Sequence, residues 1–171
     1  MNIINKQKFI NLYDSNLNAV FRFCYLRTSD RDLSMDIAQQ AFLKTWVYVK
    51  TSDSEIKNIR ALVYRIAQNL IIDWYRKRKE ESLDKLQDEN GFNPSNDGDV
   101  EGETETELTL KMLDELSDSD KEIITLRYIN NLKPKEIAEI LDEDVNVVSV
   151  RIHRAKNKLK SVINKNKYGL F

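Results

Sequence analysis

Three observations predict an all-α chain built as two small helical domains: a three- to four-helix N-terminal bundle and a C-terminal helix-turn-helix domain, joined by a flexible acidic linker. Apolar residues recur at steps of three and four through both halves, the spacing of a buried helix face. The 171 residues include only four Gly and two Pro, and all of these fall at Gly91 or later. Between the halves, residues 81–106 turn acidic and nearly lose their aliphatic side chains. Such a segment buries too little to offset the entropy of ordering its backbone. The domains are thus expected at 1–80 and 107–166, and the linker is either a spacer or an acidic strand that competes with nucleic acid for a basic channel.

In the first half the helices read as Lys6–Leu26, Leu33–Val49 and Asn58–Lys79, four in number if the first is broken. The polar runs Arg27–Arg31 and Thr51–Ser54 separate them, and Ser52 or Ser54 is placed to cap the third. On the second helix Leu33, Ile37, Ala41, Phe42, Thr45 and Trp46 point inward. Asp36, Gln39, Gln40 and Leu43 fall at i, i+3, i+4 and i+7 on another side. One carboxylate, two amides and a leucine in a stripe suit docking on a partner's helices, the leucine giving area and the polar groups register.

The third helix carries Ile59, Leu62, Val63, Ile66, Ala67, Leu70 and Ile71 as its buried face. Its other side holds Arg60, Tyr64, Arg65, Gln68, Asn69, Asp73 and Arg76, and the run closes on Trp74, Tyr75 and Arg76–Lys79. Cations interleaved with flat rings are what an unstacked nucleic acid needs: charge for phosphates and surfaces for bases. The same residues also suit a core helix with a solvated basic end, and the segment alone does not choose.

In the second half Ser119-Asp120-Lys121-Glu122 reads as a capping box ahead of Ile123, Ile124 and Leu126. Pro134 suits the first turn of a helix through Ile137, Ala138, Ile140 and Leu141. A turn over Leu141–Asp144 follows, with Asp144 as N-cap, and then a helix whose stripe is Val148, Ile152, Ala155 and Leu159. That last helix bears Arg151, His153, Arg154, Lys156, Lys158 and Lys160, positive charge on the element that enters a major groove in a helix-turn-helix.

Bulk properties fit a globular protein rich in amphipathic helix, with 41% hydrophobic and 32% charged residues. No apolar run is long enough to span a bilayer, and MNIINKQKF lacks the apolar core of a signal peptide, so the cytoplasm is expected and membrane insertion is not. Cys24 lies among Val20, Phe21, Phe23 and Leu26 and is expected in the core. His153 has no Cys or carboxylate at ligand spacing, and neither a phosphate-binding Gly-rich loop nor a nucleophile with its base is present, so no metal, cofactor or enzymatic activity is expected. The net charge of −1 argues against a nucleic-acid partner only until charge is read by segment.

Asp36-Ile37-Ala38-Gln39-Gln40-Ala41-Phe42-Leu43-Lys44-Thr45-Trp46 and Arg60-Ala61-Leu62-Val63-Tyr64-Arg65-Ile66-Ala67-Gln68-Asn69 are similar to D-L-V-Q-E-T-F-L-R-A-W and R-A-W-L-Y-R-I-A-R-N of one family. Glu136-Ile137-Ala138 and the closing Arg151-Ile152-His153-Arg154-Ala155-Lys156-Asn157-Lys158-Leu159 match its E-I-A and R-x-H-R-A-K-x-K-L. Over nearly its whole length the chain resembles the extracytoplasmic function (ECF) sigma factors, small two-domain members of the sigma-70 family. The resemblance implies that Asp36, Gln39, Gln40 and Leu43 bind the clamp helices of the largest subunit of core RNA polymerase, whose flap region is a second contact. It implies that Tyr64, Arg65, Asn69, Arg76 and Lys77 contact the minus-ten promoter element and help to melt it. The loop Thr51–Asn58 would capture a flipped base, with Ser52, Asp53, Ser54 and Asn58 supplying hydrogen bonds that offset a few kcal/mol of lost stacking. Ser149, Arg151, His153, Arg154 and Lys156 would meet upstream promoter DNA. An anti-sigma partner is also implied, while another DNA-bound factor is expected only from the departures at Val147 and Val150 described next. The alternative is a helix-turn-helix regulator that binds DNA without serving polymerase, which leaves the first half unexplained.

The chain departs from the family in the recognition helix. Where the family reads G-T-V-K-S-R, it has Asn146-Val147-Val148-Ser149-Val150-Arg151. A cation is missing at Ser149, and Val147 and Val150 can touch a thymine methyl but cannot hydrogen-bond a base edge. Leu62 replaces a tryptophan in the core, and Gln40 removes one charge from the docking stripe. Weakened readout of the minus-thirty-five element is the expectation, with the N-terminal half carrying more of the promoter choice. Transcription in vitro from a promoter with a scrambled upstream element should therefore persist, and a collapse of activity there would sink the idea.

Overall fold

The computed structural model describes residues 6–52, 56–85 and 111–168. The described residues are helical or in turns, with no strand among them. Helices α1 (Lys6–Thr28), α2 (Arg31–Thr51) and α3 (Ile59–Lys85) form the N-terminal bundle. After a helical turn at 111–114 come α4 (Asp118–Ile124), a π-helical turn (Thr125–Ile129), α5 (Pro134–Leu141) and α6 (Val145–Tyr168).

Helix α1 is unbroken, which settles the open choice between three and four helices in favour of three. Only Ser29 and Asp30 separate it from α2. Ser29 takes a left-handed φ of 53°, and Asp30 caps α2 by accepting the Leu33 N–H at 2.9 Å. Thr28 and Ser34, both buried, share a 2.7 Å hydroxyl contact beneath this corner.

Two expected caps are corrected. Ser52 does not start α3; its backbone N–H closes α2 on the Tyr48 carbonyl, and Asn58 caps α3 by accepting the Ala61 N–H at 3.0 Å. Ser54, the other candidate, lies outside the described residues. In the second half Ser117, not Ser119, is the N-cap of α4, accepting the Asp120 N–H at 3.3 Å. The remaining signals hold: Pro134 opens α5, and Asp144 caps α6 by accepting the Asn146 N–H at 2.7 Å. The expected linker is shorter at its start, because α3 continues to Lys85, and residues 86–110 lie outside the described residues.

The core is one continuous cluster, not two. Val20, Phe23, Phe42, Val63 and Ile71 of the first half join Ile123, Leu126, Ile137, Val148 and Ala155 of the second. Helix α3 packs on α5, and α1 packs on α4 and the π turn. Within the bundle, Ile37, Ala41, Phe42 and Thr45 are buried as the periodicity predicts, while Leu33 and Trp46 are half-buried. Phe9 meets Trp46 with ring centres 4.9 Å apart, and Tyr13 meets Phe42 at 5.0 Å.

Cys24 sits fully inside, and burial pushes its thiol up to about 12 against a smaller opposing pull from the Arg27 charge. A negligible thiolate fraction exists near neutral pH, so the native protein should not react with a chromogenic disulfide reagent at pH 8. One thiol per chain should appear once denaturant is added, and rapid native-state labelling would show that the packing around α1 is looser than described.

Candidate polymerase and nucleic-acid interfaces

Helix α2 presents Asp36, Gln39, Gln40 and Leu43 to solvent in one stripe. Leu43 is 63% exposed, a large apolar side chain with no intramolecular reason to be there. Gln40 donates from Nε2 to Asp36 Oδ2 at 2.7 Å, which fixes the two polar heads of the stripe relative to each other. Beside the stripe runs an open groove of about 620 Å³, mostly apolar, with Phe9, Ile10 and Tyr13 of α1 forming the far wall and Phe42, Leu43 and Trp46 the near one. Its shape and lining suit an apolar ridge on a partner helix.

The basic end of α3 is exposed, with Arg76 and Lys77 facing solvent and Arg76 3.3 Å from Asp73. The two rings are less available than sequence suggests. The Arg78 guanidinium covers the Trp74 ring at 5.2 Å, and the Tyr75 hydroxyl donates to the Arg27 carbonyl. Tyr64 is not at the surface in this arrangement: it is fully buried, edge-on to Phe23, and its hydroxyl accepts from Asn130 Nδ2 at 3.0 Å. Burial pushes that hydroxyl's pKa up, against an opposing pull from Arg60. Of the loop residues, Ser52 and Asn58 are half-buried at helix ends, and Asp53 and Ser54 lie outside the described residues.

On α6, His153, Arg154 and Lys156 are exposed, as are Val145, Val147 and Val150. The Ser149 hydroxyl turns back to the Val145 carbonyl at 2.8 Å. Arg151 points the other way. It pairs with Glu143, donates to the Ser119 hydroxyl at 2.8 Å and stands 3.7 Å from Glu122. Lys158 holds Asp120 at 2.5 Å; partial burial works to raise the Asp120 pKa, but hydrogen bonds from Lys158 and Ser117 outweigh it and keep the carboxyl below its usual value.

The two halves of the chain meet through contacts that sequence reasoning missed. Glu122 and Arg27 form an ion pair at 2.6 Å with each side chain only 10% exposed, and Gln68 donates to the same carboxylate oxygen. Asn130 donates to the Ala19 carbonyl at 2.7 Å and its own carbonyl accepts from Arg60 at 2.9 Å. Arg65 lies 3.7 Å from Asp142. Between them is a cleft of about 380 Å³ lined by Arg65, Asn69, Glu122, Asp142, Glu143 and Arg151 among others. The one available signal was Glu122 itself, a charge next to the apolar run Ile123–Ile124 that had to find a partner inside.

Residues 12–81 match the profile described as Sigma-70 region 2, and residues 106–159 match Sigma-70, region 4. The ECF RNA polymerase sigma factor SigW of Bacillus subtilis (strain 168) is 31% identical over 169 residues, an alignment covering 91% of this chain and 89% of that protein. The chain belongs to the ECF sigma factors. SigM of the same organism, also an ECF RNA polymerase sigma factor, is 26% identical over 161 residues, covering 90% of this sigma factor and 94% of SigM. The fold is that of the sigma factor RpoE from Bartonella quintana, solved in complex with the anti-sigma factor NepR: TM-score 0.73, 22% identity, covering 92% of this chain and 98% of that one. CnrH, solved with the cytosolic domain of CnrY, gives a TM-score of 0.67 over 94% of this chain and 90% of its own. Among the described residues of this sigma factor no helix is long and apolar enough to cross a membrane, and no cluster of His, Cys, Asp and Glu could hold a metal ion.

Tyr64→Phe removes the acceptor for Asn130 without opening a cavity. The loss of one buried hydrogen bond should cost about 1 kcal/mol in denaturant unfolding. No change in stability would mean that Tyr64 is not held in this core.

Proposed function

We propose that this sigma factor docks on the clamp helices of core RNA polymerase through Asp36, Gln39, Gln40 and Leu43, with the flap region as a second contact for the C-terminal unit. The observation that carries this is the exposed leucine beside an apolar groove, framed by a prealigned Asp36–Gln40 pair. Residues 1–80 and 107–166 act as two units tied by 81–106, whose first five residues prolong α3, a division supported by the region 2 and region 4 matches falling on either side of it.

In this reading Arg65, Asn69, Arg76 and Lys77 contact the minus-ten element, and Ser52 and Asn58 border the place where a flipped base is held. Tyr64 serves that surface from beneath, by fixing α3 against Phe23 and Asn130. His153, Arg154 and Lys156 hold upstream phosphates, with Ser149 and Arg151 beside them on the same helix. Readout of the minus-thirty-five element is reduced, as Val147 and Val150 have no hydrogen bond to offer a base. Duplex opening is driven by binding, without catalysis by this chain or a cofactor, in the cytoplasm where polymerase works. An anti-sigma protein that covers these faces is a fitting regulator, since RpoE was solved with the anti-sigma factor NepR.

The test is binding of the purified chain to core polymerase. Native protein should co-purify with it, and Leu43→Asp, which alters a side chain already in solvent, should weaken binding by about tenfold or more while leaving the helical content intact. Absence of binding by the native chain would overturn the reading.

A further inference from the structure

The outward face of α6 follows from its buried one. Val148, Ile152 and Ala155 are buried, and at about 100° per residue the opposite side of the helix runs through Asn146, Val150 and His153. Val147 and Arg154 lie on one flank of that line, and Ser149 and Lys156 on the other. Val147 and Val150 are 49% and 48% exposed, so two branched apolar side chains occupy a face otherwise given to polar and cationic groups. Packing inside the molecule does not require them there, since Val148 and Ile152 already supply the buried stripe.

Their polar neighbours are turned elsewhere. The Ser149 hydroxyl is committed to the Val145 carbonyl, Arg151 to Glu143 and Ser119, and Asn157 Nδ2 stands 3.4 Å from His153 Nδ1. What the middle of the helix offers a base edge is therefore the valine methyls. Exposed Arg154, Lys156 and Lys160 surround them, so an occupant of this face must combine negative charge with small apolar groups. Duplex DNA does so, with phosphates along both rims of the major groove and the thymine C5 methyl on its floor.

We propose that Val147 and Val150 read thymine methyl groups at two neighbouring base pairs of the upstream promoter element, by apolar contact alone. The inference rests on the assignment of α6 to upstream DNA made above, and it names what remains of a reduced readout. Spacing agrees, because three residues advance about 4.5 Å along a helix and successive base pairs are about 3.4 Å apart. Stiffness agrees as well. A helical valine is held in one dominant χ1 rotamer, so its methyls are in place before DNA arrives and little rotamer freedom is lost on contact. Such a contact is indifferent to the hydrogen-bonding groups of the base. It accepts a pyrimidine that carries a C5 methyl and misses one that does not.

The test uses holoenzyme reconstituted from this chain and core RNA polymerase. Duplexes randomised in the upstream and minus-ten regions are captured by the holoenzyme and sequenced, and the best-retained duplex is remade with single base changes. Thymine should be enriched at two neighbouring upstream base pairs, on either strand. Deoxyuracil at either position removes only the methyl group and should weaken capture by about threefold, the effect expected of one buried methyl. Deoxyuracil elsewhere in the upstream region should have no such effect, and 5-methylcytosine paired with guanine at the two positions should keep capture within about twofold. The double variant Val147→Ser, Val150→Ser alters two side chains already in solvent and should capture thymine and deoxyuracil duplexes equally. Equal capture of the two duplexes by native holoenzyme would overturn the proposal, as would a double variant that keeps the full difference. Should the variant lose its helical circular dichroism, the deoxyuracil and 5-methylcytosine comparison on native protein decides alone. If native holoenzyme ignores the methyls yet selects clearly in the minus-ten region, the proposed function stands and the valines are left for a protein partner. A holoenzyme that selects no duplex at all would overturn the assignment to DNA and this proposal with it.

Discussion

A carboxylate removed from water dictates much of this structure. The Glu122 side chain is 10% exposed, and a charge so placed is tolerable only with ionic and hydrogen-bonding partners in good geometry. Those partners come from the end of α1, the middle of α3 and the first turns of α6. Apolar contact between α3 and α5 would accept small sliding motions, but a charge that must reach Arg27 and Gln68 together accepts very few. The buried network therefore selects one relative placement of the two halves out of many that the hydrophobic effect would allow.

The same contacts explain why bulk charge was a poor guide to partners. Net charge is −1, yet many of the acidic side chains are spent next to cations: Glu122 and Glu143 at Arg151, Asp142 at Arg65, Asp120 at Lys158. What remains outward on α6 is His153, Arg154 and Lys156, and on α3 Arg76 and Lys77. Segregation of this kind is local and three-dimensional, so a sum over the chain erases it.

Helices were legible because their physics is local. The three N-terminal helices extend the expected ranges by a few residues at most ends, since repeating apolar steps and the absence of Gly and Pro act within a few turns. Caps were harder, and α4 shows why. Ser117 and Ser119 each precede an acidic residue three positions on, so the capping pattern fits both. The choice falls to Ser117 because Glu122 is drawn inward by Arg27 and cannot turn back to cap. Tyr64 is a second instance. Its ring packs on Phe23 of α1, on the side of α3 that also faces the C-terminal half. The C-terminal half covers that side, making α3 a helix buried on two faces, and a contact between Tyr64 and Asn130 leaves no trace in periodicity. The exposure of Asp36, Gln39, Gln40 and Leu43 was readable for the opposite reason: α2 packs on α1 and α3, and its pattern answers to one bundle alone.

The π-helical turn at Thr125–Ile129 is small but far-reaching. Its backbone bonds run from the Asn130 N–H to the Thr125 carbonyl at 2.9 Å and from Leu132 to Leu126 at 3.0 Å, longer loops than an α-helix makes. A π turn carries one residue more than the α turn it replaces, and one residue in an α-helix is about 100° of rotation. The surplus residue therefore acts as a phase shift, turning Asn130 toward Ala19 and Tyr64 when a regular helix would aim it elsewhere. Lengthening this segment by a single codon would leave every existing side chain chemically intact and yet rotate the C-terminal helices out of step with the N-terminal bundle.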